Sequence, residues 1–542
     1  MNDKLKPIYS FDLDPSEWTF MKNNDFSVSL DSNGKNFLID VNKQDENASH
    51  TFLFYKEISP LNSNSGMTTA VVSKNNYKAA MYGEIQGGLE IQLIVLGFNK
   101  GNRVFTEYVG MDIEKNLNLP DNVTDIKLVL RVSGVGRAEI KIITIKAFEY
   151  SVEEIDREAY LGNEEAEYLV LTNVYPEKNN LYRNMFVHRR AELYETSGIK
   201  VDVFRFNSNQ QSLGNYYFED IHVMSGGKQH LSSLLKTRNY KKILIHFVNK
   251  DMIEAIEESK IKIPIVVWIH GVETEKWYRR WFNFSSNSKD LERAINNIKN
   301  NKITVDFMKS IYESETLDIK FVFVSKWFKE AVAENDTNAV VNNYEIIHNV
   351  VDEQLFNYQE KDRELRKKIL SIRPYASRKY ANDLTVKAIL ELSKKPFFNE
   401  LEFNLYGQGP LFHEILEPIK HFSNVNIYNY FLSQDEIAQK HKENGVFICP
   451  TRLDSQGVSM CEAMSSGLVP ITSGVTAIPE FVDEESGYLG RKENYMDLAL
   501  AIEELYYNPE IFQKKSYNAA RRMKNQCGKQ KVIEEELEVI TS

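Results

Sequence analysis

The sequence predicts an all-β sandwich followed by two successive α/β domains, each a doubly wound, Rossmann-like sheet. Three observations carry that expectation. Residues 1–150 alternate apolar and polar positions between turn signals, with no strong helical period. From Tyr168 onward, apolar strands alternate with helical stretches, and a second such series begins near Ile369. A period of two marks half-buried strands, whereas strands alternating with helices imply a parallel sheet covered on both faces.

In the first region Leu89, Ile91, Leu93 and Val95 are interleaved with Glu90, Gln92 and Ile94, and Ile126, Leu128, Leu130 and Val132 repeat the pattern. The turn Gly134-Val135-Gly136 leads into an apolar stretch over 138–145. Such strands at turn-separated intervals read as a β-sandwich over 1–150. The module resembles carbohydrate-binding domains appended to glycan enzymes, and serves equally as a spacer or as the contact of a homo-oligomer. Residues 151–167 are acidic and read as a helical linker.

The first α/β domain spans 168–355. Its strands fall at 168–174, 201–206, 242–247, 264–270, 321–325 and 345–348, with a helix over 181–196 that Gly198 stops. Residues 274–318 form a helical insertion opened by Trp277-Tyr278-Arg279-Arg280-Trp281-Phe282. Aromatics with arginines suit a glycan platform, an interfacial contact or ordinary helix packing. The second α/β domain spans 356–508, with strands at 369–373, 402–406, 425–428 and 446–449. Ser433 and Glu436 make a capping box that opens a helix there. Residues 509–542 are a final helical stretch expected to cross back onto the first α/β domain. Open α/β sheets bind ligands beyond the carboxyl ends of their strands.

Composition narrows the class. Of 542 residues, 42% are apolar and 26% charged, the balance of a globular chain. The net charge of −11 argues against a nucleic-acid partner. Cys449, Cys461 and Cys527 make neither a metal cluster nor a disulfide framework, which favours a reducing compartment. The start Met-Asn-Asp-Lys-Leu-Lys lacks the apolar core of a signal peptide, and the apolar run at 263–269 is too short to span a bilayer. The expected location is cytoplasmic, with room for peripheral contact at the inner membrane face.

Residues 449–467 carry the most chemistry. An apolar strand runs into a polar loop bearing Asp454, then Gly457, then a short helix bearing Glu462, with Gly467 placed to end it. Free amides and the positive end of the helix dipole form a diphosphate cradle at such a junction. An ionised acid accepts several hydrogen bonds, so sugar or ribose hydroxyls are natural partners for the two carboxylates. Together these features point to a nucleotide-sugar site.

The segment resembles the E-x7-E signature of retaining glycosyltransferases of the GT-B fold, family 4. Asp454 and Glu462 keep the spacing, with Asp in the place of the usual Glu, and Ser455-Gln456-Gly457 stands where the family has Gly-Phe-Gly. The resemblance implies that Glu462 holds the donor ribose and Asp454 touches the donor sugar. Gln456, Gly457, Val458 and Ser459 would then bind diphosphate. Ile372-Arg373-Pro374-Tyr375-Ala376-Ser377-Arg378-Lys379 resembles the family's phosphate-binding G-R-x4-[RK] segment. Cations beyond a strand's end can neutralise a diphosphate leaving group. Gly407-Gln408-Gly409-Pro410 resembles its G-x-G-P turn, so Gly407 and Gly409 would lie near the nucleotide. His270, closing an apolar strand, occupies the family's position beside the donor sugar, with Glu273 placed to orient it.

Residues 346–356 resemble the family's interdomain segment, in which Asn349 and Asp352 organise a hinge. Ser325 begins a helix, and Glu480 matches a position that builds the cleft. The expected reaction is sugar transfer, with retention, from a nucleotide diphosphate sugar to a hydroxyl of a glycan or polymer acceptor. It needs no metal and no other cofactor. A nucleotide-sugar epimerase on the same fold and a non-catalytic glycan-binding protein are the alternatives.

Overall fold

The computed structural model describes residues 9–20, 26–31, 35–41, 51–55, 76–120, 122–148, 160, 166–177, 184–271, 273–283 and 288–542. Most of the expected linker over 151–167, and the middle of the loop over 175–184, lie outside them. The chain folds as two compact units, Met1–Pro264 and Ile265–Ser542.

The first unit begins with a β-sandwich. One sheet has five antiparallel strands in the order Trp18–Phe20, Thr51–Tyr55, Asp125–Ser133, Glu90–Asn99, Asn102–Gly110. The facing sheet is built on Asn76–Gly87 and Gly136–Phe148, with Phe37–Val41 and Phe26–Leu30 beyond the latter. The alternation read from the sequence is the cause: Ile91, Leu93, Val95, Leu128 and Leu130 are buried in one cluster with Ile140, Ile143 and Ile145. Gly134 turns the chain between two strands at φ +87°.

The α/β part of this unit carries parallel strands Tyr168–Thr172, Val201–Phe206 and Lys242–His246, the first lying between the other two. Tyr168–Thr172 is buried at every position, as expected of a strand covered on both faces. The helix before Gly198 is Met185–Thr196. Two features depart from the sequence reading. The expectation of a purely parallel sheet gives way to an antiparallel hairpin, Gly214–Phe218 with Ile221–Gly226, at one side. The hairpin then pairs with Glu114–Leu117 of the sandwich, Gly214 opposite Lys115, so sandwich and α/β strands share one hydrogen-bonded sheet.

The second unit contributes three parallel strands, Ile265–Ile269, Ile319–Phe323 and Tyr344–Ile346. The expected insertion is a 3-10 turn over Trp277–Asn283 and a helix over Ser288–Tyr312. The rest is a six-stranded parallel sheet in the order Val425–Tyr428, Glu402–Tyr406, Lys368–Ile372, Val446–Ile448, Val469–Ser473, Tyr488–Gly490. Numbered along the chain this order is 3-2-1-4-5-6. It reverses between Lys368–Ile372 and Val446–Ile448, and a ligand crevice is expected at such a switch point. The capping box forms: Ser433 N donates to Glu436 Oε2 (2.7 Å) and Glu436 N donates to Ser433 Oγ (3.3 Å). The single closing helix becomes two, Pro509–Cys527 and Lys529–Thr541, broken at Gly528. Val351 N donates to Cys527 O (2.8 Å), tying the tail to the segment that contains Asn349 and Asp352.

Candidate functional site

The two loops leaving the switch-point strands bring the expected residues together. Arg373 follows Lys368–Ile372 directly and is 4% exposed. Its Nη1 donates to Ser459 Oγ (3.3 Å) and its Nη2 to Pro450 O (3.4 Å), while Nε has no acceptor. Among the described residues no carboxylate pairs with this guanidinium. Burying a cation without a counter-charge is costly, so the arrangement is one that an anion would complete. Lys379, half-buried, likewise has no carboxylate partner among the described residues. Tyr380 organises both cations: its ring centroid lies 5.0 Å from the Arg373 guanidinium and 5.4 Å from Lys379 Nζ.

Two other cations nearby are already neutralised. Arg378 donates to Glu414 Oε1 (3.0 Å). Arg452, which the sequence reading passed over, forks onto both Asp383 oxygens at 2.8 Å and both Glu493 oxygens at 2.7 and 2.8 Å, and also donates to Arg378 O. With Arg452 N and Thr451 Oγ1 both donating to Lys379 O, this arginine is a clamp on the Lys379 loop. Among the described residues, Arg373 and Lys379 are the cations of these loops that pair with no carboxylate.

The glycine turn presses on the same loop. A Cβ on Gly407 would sit 2.0 Å from Arg373 O, and one on Gly409 2.3 Å from Tyr375 C, with φ of +150° and +147°. Tyr375 N donates to Gln408 O (2.8 Å), so the turn braces the backbone that carries Arg373. Gly409→Ala should therefore destabilise the protein by about 2–4 kcal/mol, since backbone rather than a movable side chain must yield. A urea titration of the two proteins measures it.

The short helix is Val458–Ser465, and Gly457 precedes it at φ +81°. Its first hydrogen bonds run from Met460 N and Cys461 N to Gly457 O, so the amides of Val458 and Ser459 precede the helical ladder, free for an anion. Asp454 shapes this entry: Oδ1 accepts from Gly457 N (2.9 Å) and Gln456 N (3.4 Å). Its second oxygen accepts no hydrogen bond from a described residue. The Gln456 side chain is spent elsewhere. Its Oε1 accepts from Asn349 N (2.7 Å) and its Nε2 donates to Asn349 O (3.0 Å), which locks the interdomain segment onto the loop.

Glu462, half-buried on the helix, makes no side-chain hydrogen bond to any described residue. Burial pushes its carboxyl up to about 8. Glu462 and Arg373 thus each lack an ionic partner among the described residues.

His270 lies at the end of Ile265–Ile269, and Ser455 Oγ donates to His270 O (3.3 Å), joining this turn to the Asp454 loop. Glu273 holds the turn through the backbone: its carboxylate accepts from His270 N (3.2 Å) and Gly271 N (2.7 Å). Burial pushes the Glu273 carboxyl up to about 7. The expectation that Glu273 orients the imidazole becomes one in which it sets the main-chain path on which the imidazole is mounted. Glu480 accepts from Trp327 N (2.6 Å) and Lys326 N (3.0 Å), capping the helical segment that Ser325 opens.

Sequence reading also missed an aromatic stack. Tyr406, immediately before Gly407, lies face to face with Tyr428 at 4.3 Å and edge-on to Tyr430 at 5.8 Å. Both neighbours fall at the end of the adjoining strand, and a Tyr-x-Tyr pair at a strand's carboxyl end was the available signal. Elsewhere His188, Glu192 and Glu219 come within 4.8 Å of one another. Arg189 Nη1 already bonds Glu192 (2.6 Å) and Glu219 (3.1 Å), and Tyr175 bonds His188 (2.8 Å), so that group is a closed polar network. The three cysteines are free and buried, and burial pushes Cys449 up to about 11.

The family described as Glycosyl transferases group 1 matches residues 366–508, the stretch that holds Arg373, Lys379, Asp454 and Glu462. The chain is 26% identical over 190 residues to sulfoquinovosyl transferase SQD2 of Arabidopsis thaliana, covering 34% of this chain and 36% of that protein. It is 26% identical over 182 residues to the capsular polysaccharide biosynthesis glycosyltransferase CapM of Staphylococcus aureus, covering 33% of this chain and 42% of that protein. The match thus spans well under half of either relative. Among solved structures, sucrose-phosphate synthase of Thermosynechococcus elongatus superposes with a TM-score of 0.51 at 14% identity, over 69% of this chain and 98% of that one. That likeness supports the GT-B fold expected from the sequence. Among the described residues no helix is long and apolar enough to cross a membrane.

Proposed function

We propose that the chain transfers a sugar, with retention of anomeric configuration, from a nucleotide diphosphate sugar to a hydroxyl of a glycan or polymer acceptor. The observation that carries this reading is the buried Arg373 guanidinium, which has no carboxylate partner among the described residues and lies against Ser459 at the amino end of the helix. In the reaction the bond from the anomeric carbon to the diphosphate oxygen breaks, and a bond from that carbon to the acceptor oxygen forms. The acceptor's proton passes to the departing phosphate. Arg373, Lys379 and the amides of Val458 and Ser459 oppose the negative charge that grows on the leaving group. Glu462 accepts from ribose hydroxyls. The second oxygen of Asp454 and the imidazole of His270 face the transferred sugar, where charge of oxocarbenium character develops.

With this electrostatic work done by protein groups, turnover is expected to survive EDTA. The names of the two curated relatives, a sulfoquinovosyl transferase and a capsular polysaccharide enzyme, support a glycan or polymer-directed role. The test is a thermal-shift and hydrolysis screen against UDP-, GDP- and TDP-hexoses. One donor should raise the melting temperature and be hydrolysed slowly, and added acceptor should yield product of the donor's anomeric configuration by NMR. Stabilisation by none of them, or inverted product, overturns the reading.

A further inference from the structure

Two carboxylates lie next to the cation loop of the site, and one arginine takes up both. Asp383 follows Lys379 by four residues, in the first turn of the helix Asn382–Leu392. Glu493 arrives from the turn after Tyr488–Gly490, where its φ of +58° strains a residue that carries a Cβ. Arg452 donates to both oxygens of each acid, to Asp383 at 2.8 Å and to Glu493 at 2.7 and 2.8 Å. Its remaining N–H goes to Arg378 O (2.7 Å), so the guanidinium has no donor left for a ligand. Whatever Arg452 does for the site, it does through its neighbours. Burial works to raise the Asp383 carboxyl, yet the guanidinium holds it below the usual carboxylate range. Lys387, 3.7 Å from the same carboxylate, is half-exposed and screens it weakly. The Lys379 main chain is tied to the same arginine, whose N donates to Lys379 O (2.9 Å), while its ammonium pairs with no carboxylate among the described residues.

We propose that Arg452 is a positioning residue acting through Lys379: by taking up Asp383 and Glu493 it keeps the Lys379 ammonium available to a bound diphosphate. This goes beyond the reading above and rests on it only for the identity of the anion. The cause is electrostatic. In a partly buried site a carboxylate beside a cation attracts it more strongly than in water, and cancels the field that an incoming anion would feel. Arginine suits the task because its planar fork meets carboxylates bidentately and stays charged at any working pH. Without it, two negative charges stand beside the phosphates, and either can draw Lys379 away from them.

The test measures binding of pyrophosphate and of UDP to the full chain by titration calorimetry, with a melting temperature for each variant. Arg452→Met should weaken both ligands about tenfold. Asp383→Asn/Glu493→Gln keeps the arginine and removes the acids. It should melt below the wild type yet bind pyrophosphate at least as tightly. Arg452→Met/Asp383→Asn/Glu493→Gln, with neither arginine nor acids, should recover to within about threefold of the wild type. A purely structural clamp predicts the reverse, because both of these variants lose the bonds that hold the loop. Weak binding by either of them, wild-type binding by Arg452→Met, or no binding of either ligand to the wild type overturns the proposal. If Arg452→Met does not fold, Asp383→Asn/Glu493→Gln decides alone. Hydrolysis of the nucleotide sugar is scored separately. Its absence with the binding pattern intact removes the proposed transferase and leaves the role of Arg452 standing, and hydrolysis with the pattern broken does the opposite.

Discussion

Arg373→Met should lower kcat/KM for the nucleotide sugar by about 10²–10³-fold, the cost of removing one well-placed donor to developing negative charge, and should leave the melting temperature unchanged or raise it. The second half of that expectation separates function from structure. In the folded protein Arg373 is 4% exposed, its two neutral acceptors lie at 3.3 and 3.4 Å, and its Nε has none. Long bonds to a hydroxyl and a carbonyl compensate poorly for a buried charge, and replacing such a group with an apolar one of similar volume is often neutral or stabilising. Methionine keeps most of the volume and packs flexibly. If instead the cation exists to hold Ser459 and Pro450 together, the variant will melt several degrees lower and will still be stabilised by donor. Differential scanning fluorimetry with and without the donor, beside steady-state kinetics, reads both quantities. Lys379→Ala should share the kinetic defect without the gain in stability, because its ammonium is only half-buried.

How far the sequence reveals these features depends on whether a feature is local. The strands Val201–Phe206 and Glu402–Tyr406 fall where the apolar runs place them, because a parallel strand buried at nearly every position writes its boundaries into its own residues. The capping box at Ser433 is visible for the same reason. The hairpin Gly214–Phe218 with Ile221–Gly226 is not visible. Its tight turn uses Glu219 at φ +50° rather than glycine, so the usual turn signal is missing. Its pairing with Glu114–Leu117 joins segments about a hundred residues apart, which no local period encodes.

The site divides in the same way. The spacing of Asp454 and Glu462 and the run of cations after Lys368–Ile372 are readable. Which cations remain available is not, because Glu414, Asp383 and Glu493 reach Arg378 and Arg452 only through the tertiary fold. Gln456 illustrates the limit. It reads as part of the diphosphate loop, yet its side chain imitates a backbone partner for Asn349, a role fixed by the meeting of two distant loops.

Glu462 supplies the second large effect, and its sign follows from burial. Its carboxyl is pushed up to about 8, while a glutamate in an unfolded chain titrates near 4.3. Between those values the folded protein holds a proton that the unfolded chain has released, so this residue makes stability fall as pH rises through the window. Glu462→Gln removes that dependence. The variant should therefore melt close to the wild type at pH 5 and progressively above it toward pH 9. Donor binding should run the other way. Ribose hydroxyls donating to the carboxylate favour its ionised form, so binding a nucleotide diphosphate hexose at pH 7 should release a proton and tighten as pH approaches 8, then level off. Glu462→Gln should show no such slope and should bind at least tenfold more weakly at pH 8, since hydrogen bonds to a charged acceptor contribute about 1.5–3 kcal/mol. Titration calorimetry in two buffers of different ionisation heat counts the proton directly. No proton release, with affinity flat from pH 6 to 9 in the wild type, would mean that Glu462 meets no hydroxyl of the donor, and the ribose would have to be placed elsewhere in the crevice.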